Sequence, residues 1–224
     1  MSRTVTLSSL ETQVRQRSDT ESLTARFPQS EVWEYINQSW AELYNKLVQS
    51  GQEFYLSSYS FTTSNGVSDY ALPSDFYLDK GCDTTISGQL YVLDRWQWEE
   101  REQYDQLITW MPGLPFAYAI MGSNVSLRPV PGGVYTVRLW YYPAPQRMVL
   151  GTDVIDCLAG FEEYIVASAA AKILAKDDRD SSEQKEQAAR AMALVNSMVA
   201  NRSRSTNNKV IRRWKRHRYP LRAA

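Results

Sequence analysis

Histidine is all but missing from this chain: the one copy, His217, sits in the terminal segment RRWKRHRYP. A Ser-His-Asp or Cys-His triad needs an imidazole held rigidly against a buried carboxylate, so it would have to be built in the last few residues. Cysteine is nearly as scarce. Cys82 and Cys157 lie far apart, and neither has a second Cys or a His at ligand spacing. That leaves no zinc site and no disulfide framework, and the expectation is two buried free thiols in a reducing compartment. GxxxxGK[ST], GxGxxG after a strand, HExxH and CxxC are all absent, and Gly132-Gly133 reads as a turn. The sequence therefore points to no catalysis, no cofactor and no metal.

Long apolar runs are missing too. No segment reaches the roughly 18 residues that span a bilayer, and MSRTVTLSSLETQ is too polar for a signal peptide. Synthesis in the cytoplasm and no membrane partner are expected. Acidic residues are absent from one region only. Residues 201–224 hold nine of the 25 Lys and Arg and no Asp or Glu, which leaves 16 basic against 25 acidic residues before them. A formal net charge of zero thus hides an acidic body and a basic tail, two parts suited to different partners.

What is present begins with helical periodicity. Ser8 and Glu11 form a possible capping box, with Leu7, Leu10 and Val14 at helical spacing in a short helix ending near Asp19. After Pro28, Ser30 is placed to cap a longer helix. Its face carries Val32, Trp33, Ile36, Trp40, Leu43, Tyr44 and Leu47, and Gly51 stops it. Trp33 and Trp40 share that face and read as core in preference to a stacking platform for bases.

From Glu53 the pattern turns to short runs rich in Tyr, Phe, Thr and Val. EFYLSSYSFT, SDYAL, QLYVL, PFAYAIM, VSLRP and VYTVRLWYY are predicted strands. In the last, Tyr135, Val137, Leu139 and Tyr141 alternate onto one face. WQWEEREQYD reads as a short helix. LITWMPGLP follows as an apolar loop whose Trp110, Met111 and Leu114 either fold onto the core or face a partner.

Helical spacing returns at FEEYIVASAAAKILAKDD, with Leu158, Phe161, Ile165, Ala169 and Ile173 as the inward stripe. Ser181 with Gln184 is placed to cap a last helix, whose stripe is Ala188, Met192, Val195 and Val199. Glu99-Glu100 and Glu162-Glu163 are neighbours about 100° apart on a helix, so they read as solvated faces or subunit contacts, not as acid and base. Asp177, Asp178 and Asp180 read as a capping turn, since the spacing of a calcium loop is missing.

In the tail, Val210, Ile211 and Trp214 would make a narrow apolar stripe among Arg212, Arg213, Lys215, Arg216 and Arg218, with Tyr219 before a proline. Three readings compete: a solvated end, a nucleic-acid arm, and an anchor that docks on an acidic protein. Composition alone does not separate the last two, because Arg and Trp serve both.

LETQVRQRSDTES followed by FPQSEVWEYINQSWAELYNKL resembles the opening of the head-to-tail adaptor (connector) proteins of tailed bacteriophages. The blocks DYALPSDFYLDKGCDT, LRPVPGGVYTVRLWYYPAP and AGFEEYIVASAAAKILAKDD follow in the same order, so the resemblance covers most of residues 7–200. It implies a ring, typically of twelve copies, beneath the portal protein. In such adaptors a C-terminal extension docks on the portal, and residues 201–224 stand at that place; their position and chemistry, not a family motif, give Ile211, Arg212, Arg213, Trp214, Lys215, Arg216, Arg218 and Tyr219 as the docking residues. The opposite side would receive the next tail or nozzle component, and genomic DNA would pass without sequence-specific binding.

The expected fold is α+β and mainly α: an antiparallel helical bundle of two N-terminal (1–52) and two C-terminal (151–200) helices, a β-rich insert (53–150) and the basic extension (201–224). The expected place is the neck of the virion. The competing expectation is a cytoplasmic nucleic-acid-binding protein that uses its basic-aromatic tail.

Overall fold

A short antiparallel ladder joins the start of the chain to a segment late in it. In the computed structural model, which describes residues 2–50, 53–86, 88–100, 102, 113–158 and 160–202, strand β1 (Ser2–Thr6) pairs with β9 (Val154–Leu158), Ser2 opposite Leu158 and Thr6 opposite Val154. Neither strand was expected. Five residues too short to show alternation acquire their pairing only from a partner about 150 positions away. The ladder runs on into helix α1 (Leu7–Ser18), where the amides of Leu7 and Ser8 donate to the carbonyls of Asp153 and Gly151.

Helix α1 is capped by Thr6, whose hydroxyl accepts from the Ser9 amide at 3.3 Å, and not by the Ser8–Glu11 box. Asp19 ends it in the left-handed region, φ 53°. Helix α2 (Gln29–Gln49) starts straight after Pro28, which takes the cap position two residues before the expected Ser30. Pro28 has no amide to leave unsatisfied, which is why it suits that place. Helix α3 (Glu162–Lys176) is preceded by Phe161, and Leu158 belongs to β9, not to the helix. Helix α4 (Ser182–Arg202) starts straight after Ser181, whose carbonyl accepts from the Lys185 amide at 3.0 Å, but Gln184 Oε1 has no hydrogen-bond partner, and it is Asp180 that accepts from the Ser182 amide at 2.9 Å.

The four helices share one core. Leu7, Leu10, Val14, Ile36, Leu43, Phe161, Ile165 and Ile173 are fully or almost fully buried there, with Val195 and Val199 closing it from α4. Each such side chain contributes about 1.5–3 kcal/mol on leaving water. Ion pairs fix the helices lengthwise: Glu31 with Lys176 at 2.5 Å, Glu42 with Lys172 at 3.0 Å and Glu163 with Arg17 at 2.5 Å.

The β region is larger than the mainly-α expectation allowed. Strands β2 (Ser57–Thr62), β3 (Asp69–Ala71), β4 (Phe76–Ile86), β5 (Gln89–Arg95), β6 (Ala117–Met121), β7 (Asn124–Arg128) and β8 (Thr136–Pro143) form one seven-stranded sheet in the order β2-β8-β4-β5-β6-β7-β3. It is antiparallel except where β5 meets β6. The sheet curls until its edges meet, Phe61 of β2 stacking on Tyr70 of β3 at 4.9 Å. Its concave face holds a second core of Cys82, Leu93, Val125, Leu127, Val137 and Leu139.

With 40% helix and 29% strand among the described residues this is a β-rich α+β fold, and the helical bundle carrying an inserted subdomain is overturned. One cause is the central strand β4, which the sequence concealed. FYLDKGCDTTI breaks its own alternation, and its register against β8 shifts between Phe76 and Leu78 and again between Asp79 and Gly81. A second cause is the continuity of the two layers. Adjacent Tyr141 and Tyr142 on β8 enter the sheet core and the helical core respectively, and the Tyr44 hydroxyl donates to the Pro143 carbonyl.

Candidate functional site

The residues that sequence reasoning singled out are only partly in view. Ile211 to Tyr219, His217, Trp110 and Met111 lie outside the described residues. Leu114 is half-buried beside a tight crossing of backbone: the Gly132 amide donates to the Gly113 carbonyl at 2.8 Å, and Gly113 adopts φ +92°. Of WQWEEREQYD, Trp98–Glu100 is one turn of 3-10 helix.

The buried titratable groups are arranged for structure. Burial, with Asp83 and Asp79 nearby, pushes the Cys82 thiol up to about 12, so it is almost entirely protonated at neutral pH and a poor nucleophile. Burial and the hydrogen bond to Asp79 likewise raise Tyr118, and burial beside Glu42 takes Tyr164 to about 12. Asp83, itself buried on the convex side of the sheet, accepts from Trp140 Nε1 at 2.6 Å and from both forks of Arg138 at 3.3 Å, while Arg138 lies 4.7 Å over the Trp140 ring. A carboxylate so occupied has three of its roughly four acceptor sites taken. Among the described residues no group of His, Cys, Asp or Glu is placed to hold a metal ion. Asp177 instead pairs with Arg26 at 2.6 Å, and Asp180 caps α4.

Glu11 is a polar hub of the helical layer. Burial raises its carboxyl, but hydrogen bonds from Gln29 (2.9 Å), Arg15 (2.8 Å) and Trp33 Nε1 (2.7 Å) outweigh that and hold it below the usual value. A depressed folded-state value means that its stabilisation is present above the unfolded-state value near 4.5 and is lost as pH falls through the folded one. Urea midpoints measured from pH 6 down to pH 3 should therefore fall for the wild type. Glu11→Gln should start lower at pH 6 and lose less on acidification; an identical decline in both would refute the assignment. Trp33 is thereby a structural donor, and Trp40 packs edge-on against Tyr44 at 5.6 Å, as the core reading expected.

What remains as functional surface is apolar and exposed. It occurs at Leu90 and Val92 on β5, at Val149 and Leu150 in the turn before β9, and at Leu194 and Met198 on α4. Beside the seam between helices and sheet, Trp40, Tyr44, Tyr55, Asp75, Pro143 and Pro145 line a hollow of about 670 Å³. Such places fit protein partners better than small substrates. Sequence reasoning missed them because exposure is a property of the fold. Leu194 and Met198 alone left a trace, being four residues apart and off the inward stripe of Val195 and Val199.

The model of the family described as SU10 adaptor protein matches this chain over residues 5–214. No curated protein matches it. The matched span takes in every described helix and the whole seven-stranded sheet, and continues into the basic tail as far as Trp214.

Proposed function

This chain belongs to the SU10 adaptor protein family, a family of phage head-tail adaptors, and on that premise we propose that it builds a ring of twelve copies under the portal and docks there through residues 201–224. As an adaptor it is a component of the virion neck that associates with other head-tail components. No described helix is long and apolar enough to cross a membrane. The observation that carries the reading is the extent of the family match, which joins the folded body to the first part of the tail in one unit.

In the docking step Ile211, Trp214 and Tyr219 fill apolar pockets on the portal, and Arg212, Arg213, Lys215, Arg216 and Arg218 pair with acidic groups around them. A tail of 24 residues reaches about 80 Å when extended, enough to lie along a neighbouring molecule. The loop at Trp110, Met111 and Leu114 contacts a neighbouring copy or the next tail component. The acidic body suits a channel for the genome, since carboxylates give phosphates nothing to hold. No reaction is required of it.

The test is electron microscopy of the full-length chain and of a variant lacking residues 201–224, each mixed with the portal. Rings capping the portal with the full-length chain alone are the expected result. Equal decoration by the shortened chain would refute tail docking. Salt-sensitive coating of added DNA, with no ring on the portal, would favour the nucleic-acid reading instead.

A further inference from the structure

Helix α4 presents two unlike faces on opposite sides. On one side it forms with α3 a groove of about 470 Å³, whose floor includes Ala171, Ala175 and Ala189 and whose rim carries Lys46, Lys172 and Lys185. Lys172 is engaged by Glu42, whereas among the described residues no carboxylate forms an ion pair with Lys46 or Lys185. In a body that is acidic overall, this is a local concentration of positive charge around an apolar floor.

On the other side stand Leu194 and Met198, 55% and 45% exposed. At about 100° per residue they point between roughly 140° and 180° away from Lys185 and Ala189. Glu183 lies within about 20° of Leu194 on the same count, and Glu186 flanks it, taking up Arg190 at 2.6 Å. This face is therefore apolar at one end, while the other end carries Glu183, Glu186 and Arg190 and is negative by one net charge. It complements the groove in both respects: large side chains against alanines that let a helix come close, and a net negative end against a rim of Lys46 and Lys185, the latter also attracted by Asp180 of its own copy.

We propose that the Leu194–Met198 face of one copy seats in the alanine groove of α3 and α4 on the next. Because the two faces differ and lie on opposite sides of one helix, the contact is head-to-tail. It repeats from copy to copy and closes into a ring when the rotation allows, which a self-paired patch does not do. The inference rests on the ring reading and adds to it which surfaces meet.

Cross-linking tests it on the full-length chain. Ala189→Cys and Met198→Cys variants are mixed and treated with a short bis-maleimide, once on the portal and once as concentrated protein alone. The wild type reports any cross-link through its own cysteines. Covalent dimers from the mixture, and not from either variant by itself, are expected. Leu194→Asp, exposed enough to leave folding intact by circular dichroism, should weaken self-association at least about tenfold. The proposal is overturned if the mixture gives no dimers in either setting, if Met198→Cys alone cross-links as well as the mixture, or if Leu194→Asp assembles like the wild type. Decoration of the portal by the wild type is scored in the same samples, so failure of the adaptor reading and failure of this contact are seen separately.

Discussion

Phe161→Ala is expected to lower the unfolding free energy by about 3–5 kcal/mol, the range for emptying a large aromatic site in a core that cannot collapse around it. Phe161 is 1% exposed and sits where β9 hands over to α3, among the fully buried Leu7, Ile36 and Ile165. The β1–β9 ladder fixes one wall of this site and the helices fix the others, so little relaxation is open to it. Total stabilities of about 5–15 kcal/mol make such a loss a large fraction of the whole. Urea unfolding of the isolated protein measures it: the midpoint should fall with the slope unchanged. Phe161→Leu, which restores most of the volume, should recover more than half of the loss. A loss below about 1 kcal/mol for the alanine variant would show that the site is not packed as described.

Gly132→Ala should be nearly as damaging, for a steric reason. A Cβ at position 132 would stand 2.7 Å from the Gly113 Cα, and one at position 113 would stand 2.8 Å from the Gly132 Cα. Both obstacles are backbone, so no side chain can swing aside. The two crossing segments must part, and the 2.8 Å hydrogen bond from the Gly132 amide to the Gly113 carbonyl goes with them. Overpacking and the lost bond together suggest about 2–4 kcal/mol. The adjacent Gly133→Ala is the control. There the nearest atom is the Tyr135 hydroxyl oxygen at 3.4 Å, the end of a movable side chain, and the cost should stay under about 1 kcal/mol. Equal stability of the two variants by thermal and urea unfolding would refute the crossing.

The pair also shows where reading the sequence stopped. Gly132-Gly133 was legible as a turn before a strand, and β8 (Thr136–Pro143) begins a few residues later. Which of the two glycines is indispensable was not legible, because the obstacle comes from Gly113, distant in the chain. The caps follow the same pattern. Asp19 and the capping turn at Asp180 were visible locally, yet Thr6 displaced Ser8 as the cap of α1 because the ladder to β9 holds the chain extended up to that point.

The candidate contact surfaces were the least legible. Periodicity marks which residues of a helix face inward, and it placed Val195 and Val199 correctly in the core. It gives no reason for Leu194 and Met198 to stay exposed. For β5, QLYVL was read as a strand, but Leu90 and Val92 lie on the convex side of the curled sheet, where alternation alone assigns no solvent.

By itself the sequence determined the helices, most of the strands, the acidic body with its basic tail, and the family, because each rests on local spacing, composition or ordered blocks of residues. Only the tertiary structure decided the balance between helix and strand, the pairing of β1 with β9, the curl that closes the sheet on Phe61 and Tyr70, and the opposed faces of α4. Those depend on contacts between residues far apart in the chain, and the free energy of such contacts is set by packing and pairing that no local window contains.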